Sequence, residues 1–497
     1  MQQIPSRREF LCQAGVAAGL GAAAMTAGAQ GASAEGKRRN MVFILIDDMR
    51  FDSMSCMGHP FLETPNLDAL AAGGIMFDNA FVTTSLCSPS RASILTGQYA
   101  HNHGIFDNST NLPDDTPTFP KELQKSGYRT GFAGKWHMGG SSDEPRPGFD
   151  HWMSFRGQGV YNDPTINVNG NQEKVEGYVT DIITDHAVDF LQQEDERPFF
   201  LYVSHKAVHA DFYPMEKYKG RYADKTYPHP ESMANTDENY KGKPEWVREQ
   251  RNSWHGVDGM YNGRVDFDQF CLDYAETMIS VDDSVGRIVN TLREQGLLDS
   301  TLLVFTSDNG FLFGEHGLID KRCMYEPSIR VPLIAHCPEL FEGGQRKKEV
   351  VANIDFAPTF LECAGAPVPE QVQGRSFMDV LTGTETGWRD ALLYEYFWER
   401  SFPQTPTVLG VRTERYKFMK YHGVWDKYEI YDLQEDPHEM NNLLADFIQH
   451  NEGGQLDQYI RQNAPDDVKA LFNDLDGKLN ALLNETGCLA EPSWQAR

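Results

Sequence analysis

Basic residues are scarce in this 497-residue chain, which carries 45 lysines and arginines against 72 aspartates and glutamates. The formal net charge is −27. Because phosphate groups are repelled by such a charge, the balance excludes non-specific binding to nucleic acids and to acidic membrane surfaces. An anionic substrate would need basic side chains gathered in one pocket. The hydrophobic content of 40% is that of a globular protein with a large core, which excludes a disordered or fibrous chain.

Cysteine is also sparse, and its spacing excludes one class of metal site. The chain has eight cysteines, and none of them forms a Cys-x-x-Cys pair, so a zinc ribbon is excluded. Seven remain if Cys12 is removed with a signal peptide. The sequence leaves open whether they form one to three disulfides, and the odd number suggests that one cysteine has a chemical role.

Long apolar runs are missing except near the N-terminus, where residues 14–27 are rich in alanine and glycine. This stretch is shorter than the roughly 20 apolar residues that span a bilayer. A twin-arginine pattern at residues 6–11 precedes it, and a small-residue cleavage site at residues 32–34 follows it. We interpret residues 1–34 as a signal peptide for the twin-arginine export machinery, with a buried or membrane-anchored helix as the alternative. This interpretation predicts a periplasmic or secreted protein without stable membrane insertion.

Four unbroken apolar runs predict strands of a sheet that is covered on both faces. They are residues 41–46, 128–133, 198–203 and 302–306, and they end at Asp47-Asp48, Gly134-Lys135, Ser204-His205 and Ser307-Asp308-Asn309. Helical patterns lie between them at 66–72, 119–125, 180–192 and 273–292. This alternation predicts an α/β fold with a large, mostly parallel sheet sandwiched by helices. Because ligands of such sheets bind beyond the carboxyl ends of the strands, we expect these polar residues to converge on one site.

Two regions depart from this pattern. Residues 210–265 are polar and aperiodic, and we interpret them as a long excursion that could wall a substrate pocket. After residue 385, short strand candidates at 392–396, 408–412, 416–421 and 429–433 precede an amphipathic helix at 466–483. We therefore predict a catalytic domain over 35–385 and a smaller C-terminal subdomain of antiparallel sheet plus helix over 386–497.

Hard oxygen ligands follow two of the predicted strands. Asp47, Asp48, Asp308 and Asn309 supply three carboxylates and one amide, a set that suits Ca²⁺ or Mg²⁺ better than zinc. Such pairs are often turns or helix caps, but here both pairs terminate buried strands. We predict a Ca²⁺ site and leave Mg²⁺ open.

Residues 87–97, Cys-Ser-Pro-Ser-Arg-Ala-Ser-Ile-Leu-Thr-Gly, form a second chemical segment. Ser88 is typical of a helix N-cap, Pro89 of the first helical position and Gly97 of a C-cap. This reading places Cys87 just before a helix N-terminus, where backbone amides favour an anion. Taken alone, the cysteine would be an ordinary buried residue.

The segment Cys87-Ser88-Pro89-Ser90-Arg91 resembles the Cys-x-Pro-Ser-Arg signature of the formylglycine-dependent (type I) sulfatases, which belong to the alkaline-phosphatase-like superfamily. In that family a formylglycine-generating maturase oxidises the cysteine to Cα-formylglycine. The similarity continues, in order along the chain, at Asp47-Asp48, Gly134-Lys135-Trp136-His137, Ser307-Asp308-Asn309-Gly310 and residues 431–437. The chain therefore resembles a bacterial carbohydrate sulfatase over nearly its whole mature length.

The resemblance implies a role for each matching residue. The hydrated aldehyde at position 87 would attack sulfur, helped by Arg91, and would bind the metal together with Asp47, Asp48, Asp308 and Asn309. His209, or a neighbouring acid, would protonate the leaving oxygen, His137 would help to expel sulfate, and Lys135 and Lys321 would neutralise the sulfate group. Val208 stands where the family commonly has proline before this histidine. Four further basic residues are candidates for substrate specificity, namely His205, Lys206, His316 and Arg322.

These residues predict hydrolysis of a sulfate monoester, with a sulfated carbohydrate as the substrate. An N-acetylglucosamine-6-sulfate-like sugar is our preferred target, and the charge of −27 favours an exo-acting pocket over a groove for a long polyanion. The alternatives are an aryl or choline sulfatase, and a phosphate or phosphonate monoester hydrolase of the same superfamily. A non-catalytic, metal-stabilised glycan-binding protein is a further alternative, although every catalytic position is filled.

Overall fold

A computed structural model describes residues 38–423, 428–448 and 456–488, so the predicted signal peptide lies outside the described residues. The strands are β1 Met41–Ile46, β2 Ile75–Phe77, β3 Ala80–Phe81, β4 Arg129–Lys135, β5 His151–Phe155, β6 Thr165–Val168, β7 Asn171–Lys174, β8 Phe199–Ser204, β9 Leu302–Ser307, β10 Leu312–Phe313, β11 Ile319–Asp320, β12 Leu333–His336, β13 Gln345–Lys347, β14 Val351–Ala352, β15 Ala391–Tyr396, β16 Thr407–Thr413, β17 Tyr416–His422 and β18 Tyr428–Asp432. The helices are α1 Pro65–Gly73, α2 Cys87–Thr96, α3 Ala100–His103, α4 Phe119–Lys125, α5 Val179–Gln192, α6 Glu245–Gln250, α7 Phe267–Glu294, α8 Glu326–Ile329, α9 Phe356–Ala364, α10 Met378–Thr382, α11 Ala445–Ile448, α12 Leu456–Asn463 and α13 Asp466–Thr486. Among these helices, none combines the length and the hydropathy that crossing a bilayer requires.

A ten-stranded sheet forms the centre of the molecule, in the order β13-β2-β12-β9-β1-β8-β4-β5-β6-β7. The five strands from β9 to β5 are parallel to one another, whereas β12 pairs antiparallel with β9, and β6 pairs antiparallel with both β5 and β7. The predicted α/β class with a mostly parallel sheet is therefore confirmed. The parallel centre places the carboxyl ends of β1, β4, β8 and β9 at one edge.

Helices cover both faces of this sheet, which explains why β1 reads as an unbroken apolar run. Every residue of β1 is fully buried. Phe43 points to one face, where its ring centroid lies 5.3 Å from those of Phe356 and Phe360 on α9. Ile44 points to the other face and shares a core with α5 and α7.

The small antiparallel sheet of the C-terminal region runs β15-β16-β17-β18, with α13 packed against β15 and β16. It contacts the catalytic region through the Glu395 amide, which donates to the Thr83 carbonyl oxygen at 2.9 Å. The predicted C-terminal sheet and closing helix are therefore confirmed.

Strand β4 runs two residues beyond its predicted end, to Lys135, because Gly134 lets it approach β8 closely. Gly134 has a φ of 125°, and a Cβ there would lie 1.8 Å from the carbonyl oxygen of Ser204. A residue with a side chain would push the two strands apart, so this glycine carries Lys135 to the carboxyl edge of the sheet.

Candidate active site

Helix α2 begins two residues earlier than the sequence suggests, and this corrects our predictions for Ser88 as the N-cap and Pro89 as the first helical residue. Leu86 occupies the N-cap position in an extended conformation, and Cys87 is the first helical residue. Ser88 does not cap the helix, because its hydroxyl donates to the His137 carbonyl oxygen and ties α2 to the segment after β4. Gly97 ends the helix with a φ of 68°, as predicted.

The thiol of Cys87 lies against the carboxylates that follow β1. Its Sγ atom is 3.6 Å from Asp47 Oδ1 and 4.0 Å from Asp48 Oδ1, and the residue is fully buried. Burial raises the pKa of the Cys87 thiol well above its usual value, although Lys321 and Lys135 act in the opposite direction. The unmodified side chain is therefore a protonated thiol at neutral pH and a poor nucleophile.

The four predicted oxygen ligands lie together and are almost completely excluded from solvent. The Asp48 amide donates to Asp308 Oδ1 at 3.1 Å, and Asn309 Nδ2 donates to Asp48 Oδ1 at 2.7 Å. Burial raises the pKa of Asp48 to about 7, even though Lys321 lowers it. Burial would also raise the pKa of Asp47, but Lys135 and other cations outweigh it and hold that pKa well below its usual value.

Three cationic side chains face these three carboxylates. Arg91 makes an ion pair of 2.9 Å with Asp308, and its Nη1 atom donates to the carbonyl oxygen of Lys135 at 2.8 Å. Lys135 donates to Asp47, and Lys321 donates to Asp48. When Asp48 is ionised, the charges of these three carboxylates and these three cations cancel.

The two predicted catalytic histidines border this cluster. The Nε2 atom of His209 is 3.9 Å from Asp48 Oδ2, and its side chain keeps 18% exposure. The ring of His137 is buried, and its Nδ1 atom has no hydrogen-bond partner among the described residues. Burial, helped by the charge of Lys135, holds the pKa of both rings well below the usual value, so both are neutral at pH 7.

The structure separates the four specificity candidates. Lys206 lies beside the cluster, where its ammonium group is 4.4 Å from the centre of the Tyr161 ring. Arg322, next to Lys321, is held by ion pairs to Asp320 and Glu399. His205 does not reach the cluster, since it is fully buried and its Nε2 atom lies 2.9 Å from Ser284 Oγ of α7.

His316 is also kept away from the cluster. It is 1% exposed and its ring centroid lies 4.2 Å from that of Tyr325. The residue has a φ of 58° in the loop between β10 and β11. Neither this turn nor the inward direction of His205 has a signature in the sequence.

Further residues complete the site, and sequence reasoning anticipated Ser204 at a strand end but missed Gln158 and His255. Ser204 Oγ accepts from Arg91 Nη1 at 2.7 Å, and Gln158 Oε1 accepts from Lys135. His255, from the long excursion, places Nε2 3.2 Å from Asp320 Oδ2, beside Lys321. The excursion thus packs against the loop that carries Lys321, and the position of Asp320 directly before Lys321 is the signal that could have found it.

The donor set suits a hard divalent cation. Asn309 Oδ1 is buried and has no hydrogen-bond partner among the described residues, although its amide nitrogen is bonded. An unsatisfied buried oxygen beside three carboxylates is the arrangement that a calcium or magnesium ion would complete. The side chains of Asp47, Cys87 and Asp308 are also close enough together to share one ion.

Known proteins resemble this chain in both sequence and fold. The Sulfatase family profile matches residues 39–366, and a profile described as N-sulphoglucosamine sulphohydrolase, C-terminal, matches residues 314–465. An N-acetylglucosamine-6-O-sulfatase of Bacteroides thetaiotaomicron is 34% identical, over 90% of this chain and 91% of that protein.

Solved structures agree with this relationship. One, described as a complex with its substrate D-glucosamine-2-N,6-O-disulfate, is 32% identical and superposes with a TM-score of 0.81 over 92% of this chain and 100% of that one. A phosphonate monoester hydrolase of Agrobacterium radiobacter, at 22% identity over 90% of this chain and 96% of that one, shares the fold with a TM-score of 0.73. Since the first profile covers well over half of the sequence, the chain belongs to the sulfatase family and is a sulfuric ester hydrolase.

Proposed function

We propose that this sulfatase removes the 6-sulfate from an N-acetylglucosamine-type sugar at the end of a saccharide, with Cys87 converted to Cα-formylglycine. The contact of Cys87 Sγ with Asp47 at 3.6 Å, inside a pocket of balanced carboxylates and cations, carries the proposal. The relative from B. thetaiotaomicron bears the name of that activity, and the substrate in the similar solved structure also carries a 6-O-sulfate.

The charge of the pocket supports an anionic ester as the substrate. A divalent cation would add two positive charges to an electrically balanced site. A bound sulfate monoester would then neutralise one of them. Without the metal, Arg91, Lys135 and Lys321 are already paired with the three carboxylates, so no excess positive charge is left to attract the ester. Metal and substrate are therefore expected to bind together more strongly than either binds alone.

Residues Asp47, Asp48, Asp308 and Asn309 would hold the cation, which we propose to be Ca²⁺ because the set is rich in carboxylates and lies in a site fixed by buried strands. When bound, the cation supplies a Lewis acid next to residue 87, and the formylglycine hydrate supplies the nucleophile that a buried thiol cannot. Lys135 and Lys321 would bind the sulfate oxygens. Arg91, which bonds to Asp308 and to the Lys135 carbonyl, would hold these parts in position.

The two histidines would move protons. His209 lies on the more exposed side of the cluster, next to Asp48. The negative charge of a bound sulfate ester would raise the pKa of its ring, so that His209 takes up a proton from water and passes it to the leaving sugar oxygen. Neutral His137, with its free Nδ1 atom, can accept a proton from the group at position 87 when sulfate leaves. Lys206 and Arg322 are the specificity candidates that remain close to the site.

The cellular context is also a proposal. A maturase enzyme would convert Cys87, and the twin-arginine machinery would export the protein to the periplasm or the medium. The catalytic domain would end near residue 385, shortly before β15, and the rest would form the C-terminal subdomain.

A screen of defined sulfated sugars with purified, matured enzyme tests the proposal. We expect the highest kcat/KM on N-acetylglucosamine-6-sulfate at a chain end, and lower values on the 3-sulfate isomer, on aryl sulfates and on aryl phosphates. Cys87→Ala should abolish turnover while leaving the thermal unfolding temperature unchanged, and Cys323→Ala, which replaces another buried thiol, serves as the control. Preferred hydrolysis of phosphate or phosphonate esters, or turnover by Cys87→Ala, would contradict it.

A further inference from the structure

A cavity of about 870 Å³ lies beside the active site, between the edge of the large sheet and the C-terminal sheet. Its walls come from the residues that follow β2 and β13, from α8, from the β16–β17 turn and from the segment after β18. None of the proposed metal ligands, sulfate-binding lysines or catalytic histidines lines it. Its volume is within the range of roughly 300–1,000 Å³ that is typical of small-ligand sites.

Most carboxylates in the cavity wall are already paired with a cation. Arg50 binds Asp52 and Glu315, Arg412 binds Glu326, Lys417 binds Glu439 and Arg346 binds Asp78. The exposed Glu414 is the lining carboxylate without an ion pair within the described ranges. The acidic groups of the wall are therefore mostly neutralised, so their charge does not repel an anion.

Two cations of the wall lack such a partner. Across the part of the chain that the structure describes, neither Arg330 nor Lys348 makes an ion pair. The guanidinium carbon of Arg330 lies 4.3 Å from the centre of the Phe51 ring, so stacking holds the charge at the cavity wall. Since arginine is charged at any physiological pH, Arg330 presents a fixed positive charge to the cavity.

His316 adds a second, independent sign of a ligand. It lines the cavity and is 1% exposed, and neither of its ring nitrogens has a hydrogen-bond partner among the described residues. A buried polar group without a partner destabilises the fold, so a bound group with a hydroxyl would relieve this cost. Because a neutral imidazole has one donor and one acceptor, it suits a hydroxyl, which is also both.

We propose that this cavity is a second binding site for a sulfated saccharide, with the anionic group on Arg330 and Lys348 and a hydroxyl on His316. Phe51 and Tyr227 supply the apolar surface on which the carbon face of a sugar ring can lie. The choice of a saccharide rests on the proposed function, whereas the preference for an anion rests on the charges of the wall alone. The site would hold sugar without hydrolysing it, since it contains none of the catalytic groups.

Isothermal titration of the Cys87→Ala protein with D-glucosamine-2-N,6-O-disulfate tests the proposal, because this variant binds without turnover. We expect two equivalents to bind. Adding Arg330→Gln should raise the Kd of the second equivalent by about tenfold or more, since a charge-assisted contact is lost. Adding Arg197→Gln, an exposed arginine that pairs with Asp195, should leave both equivalents intact.

Lys348→Gln is the second test, because the side chain is exposed and its loss should not affect folding. It should weaken the second equivalent and leave the first unchanged. Binding of a single equivalent to Cys87→Ala that Arg330→Gln leaves unaltered, or two unaltered equivalents in Cys87→Ala with Arg330→Gln, would overturn the proposal. Inorganic sulfate that binds the cavity as tightly as the sugar would overturn the assignment to a saccharide. Hydrolysis assays on otherwise native enzyme report the proposed function separately.

Discussion

Replacing Lys321 by glutamine should affect both catalysis and the response to metal. The ammonium group of Lys321 is buried and binds Asp48, and we place it on the sulfate oxygens of the substrate. A charge about 4 Å from an anion contributes about 4 kcal/mol at an effective dielectric constant of about 20. Glutamine keeps part of this electrostatic stabilisation through its amide dipole. We therefore expect kcat/KM to fall by about 100- to 1,000-fold, as with the loss of a donor to a reacting oxyanion.

The same change should make folding depend on the metal. Without Lys321, two cations remain to face three buried carboxylates, and breaking a buried ion pair costs about 3–5 kcal/mol. Bound Ca²⁺ would offset this loss. We expect Lys321→Gln to unfold at a much lower temperature than the wild type in EDTA, and at a nearly normal temperature in excess calcium.

The assay is steady-state hydrolysis of a sulfated sugar together with thermal unfolding in EDTA and in CaCl₂. Lys125→Gln is the matched control, because the Lys125 side chain is 70% exposed and pairs with Glu122 of the same helix. It should resemble the wild type in both measurements. A kcat/KM for Lys321→Gln within a few fold of the wild-type value, or an equal loss of stability with and without calcium, would refute the reasoning.

Three further predictions follow from the site and the sheet. Chelation with EDTA should abolish hydrolysis and lower the unfolding temperature, and Ca²⁺ should restore both; better recovery with Mg²⁺ would contradict the choice of metal. His209→Ala should lower kcat/KM on a sugar sulfate by about 100-fold but on a nitrophenyl sulfate far less, because nitrophenolate leaves without a proton. Equal losses on both substrates would argue against His209 as the acid. Gly134→Ala should lower the free energy of unfolding in urea by about 2–4 kcal/mol, because its Cβ would meet the Ser204 carbonyl oxygen, whereas Gly58→Ala, at a φ of 90° with no atom within 4 Å, should cost about 1–2 kcal/mol.

The centre of the fold was predictable because burial on both faces leaves a clear pattern. Residues 41–46 alternate between two cores, so no polar residue interrupts the run until Asp47. Strand direction leaves no such pattern, which is why the antiparallel pairing of β12 with β9 was not anticipated. The C-terminal strands were found from their length and the turns between them.

Site residues were predictable where a motif or a strand end marked them. They were unpredictable where one side-chain or backbone torsion determines whether a residue faces the site. Asp47 and Asp308 follow buried strands, so their approach to each other is a consequence of the parallel sheet. His205 also follows a strand, yet its side chain turns to α7, and nothing in the sequence distinguishes the two cases. Gln158 lies in a loop, where no periodicity selects it.

The complete burial of Cys87 bears on when this side chain can be modified. In the folded protein the Sγ atom of Cys87, the first residue of α2, is fully buried against Asp47. If a maturase oxidises this side chain as we propose, its burial favours oxidation before the polypeptide folds. Folding would then enclose the aldehyde, and the proposed export of the folded protein would follow.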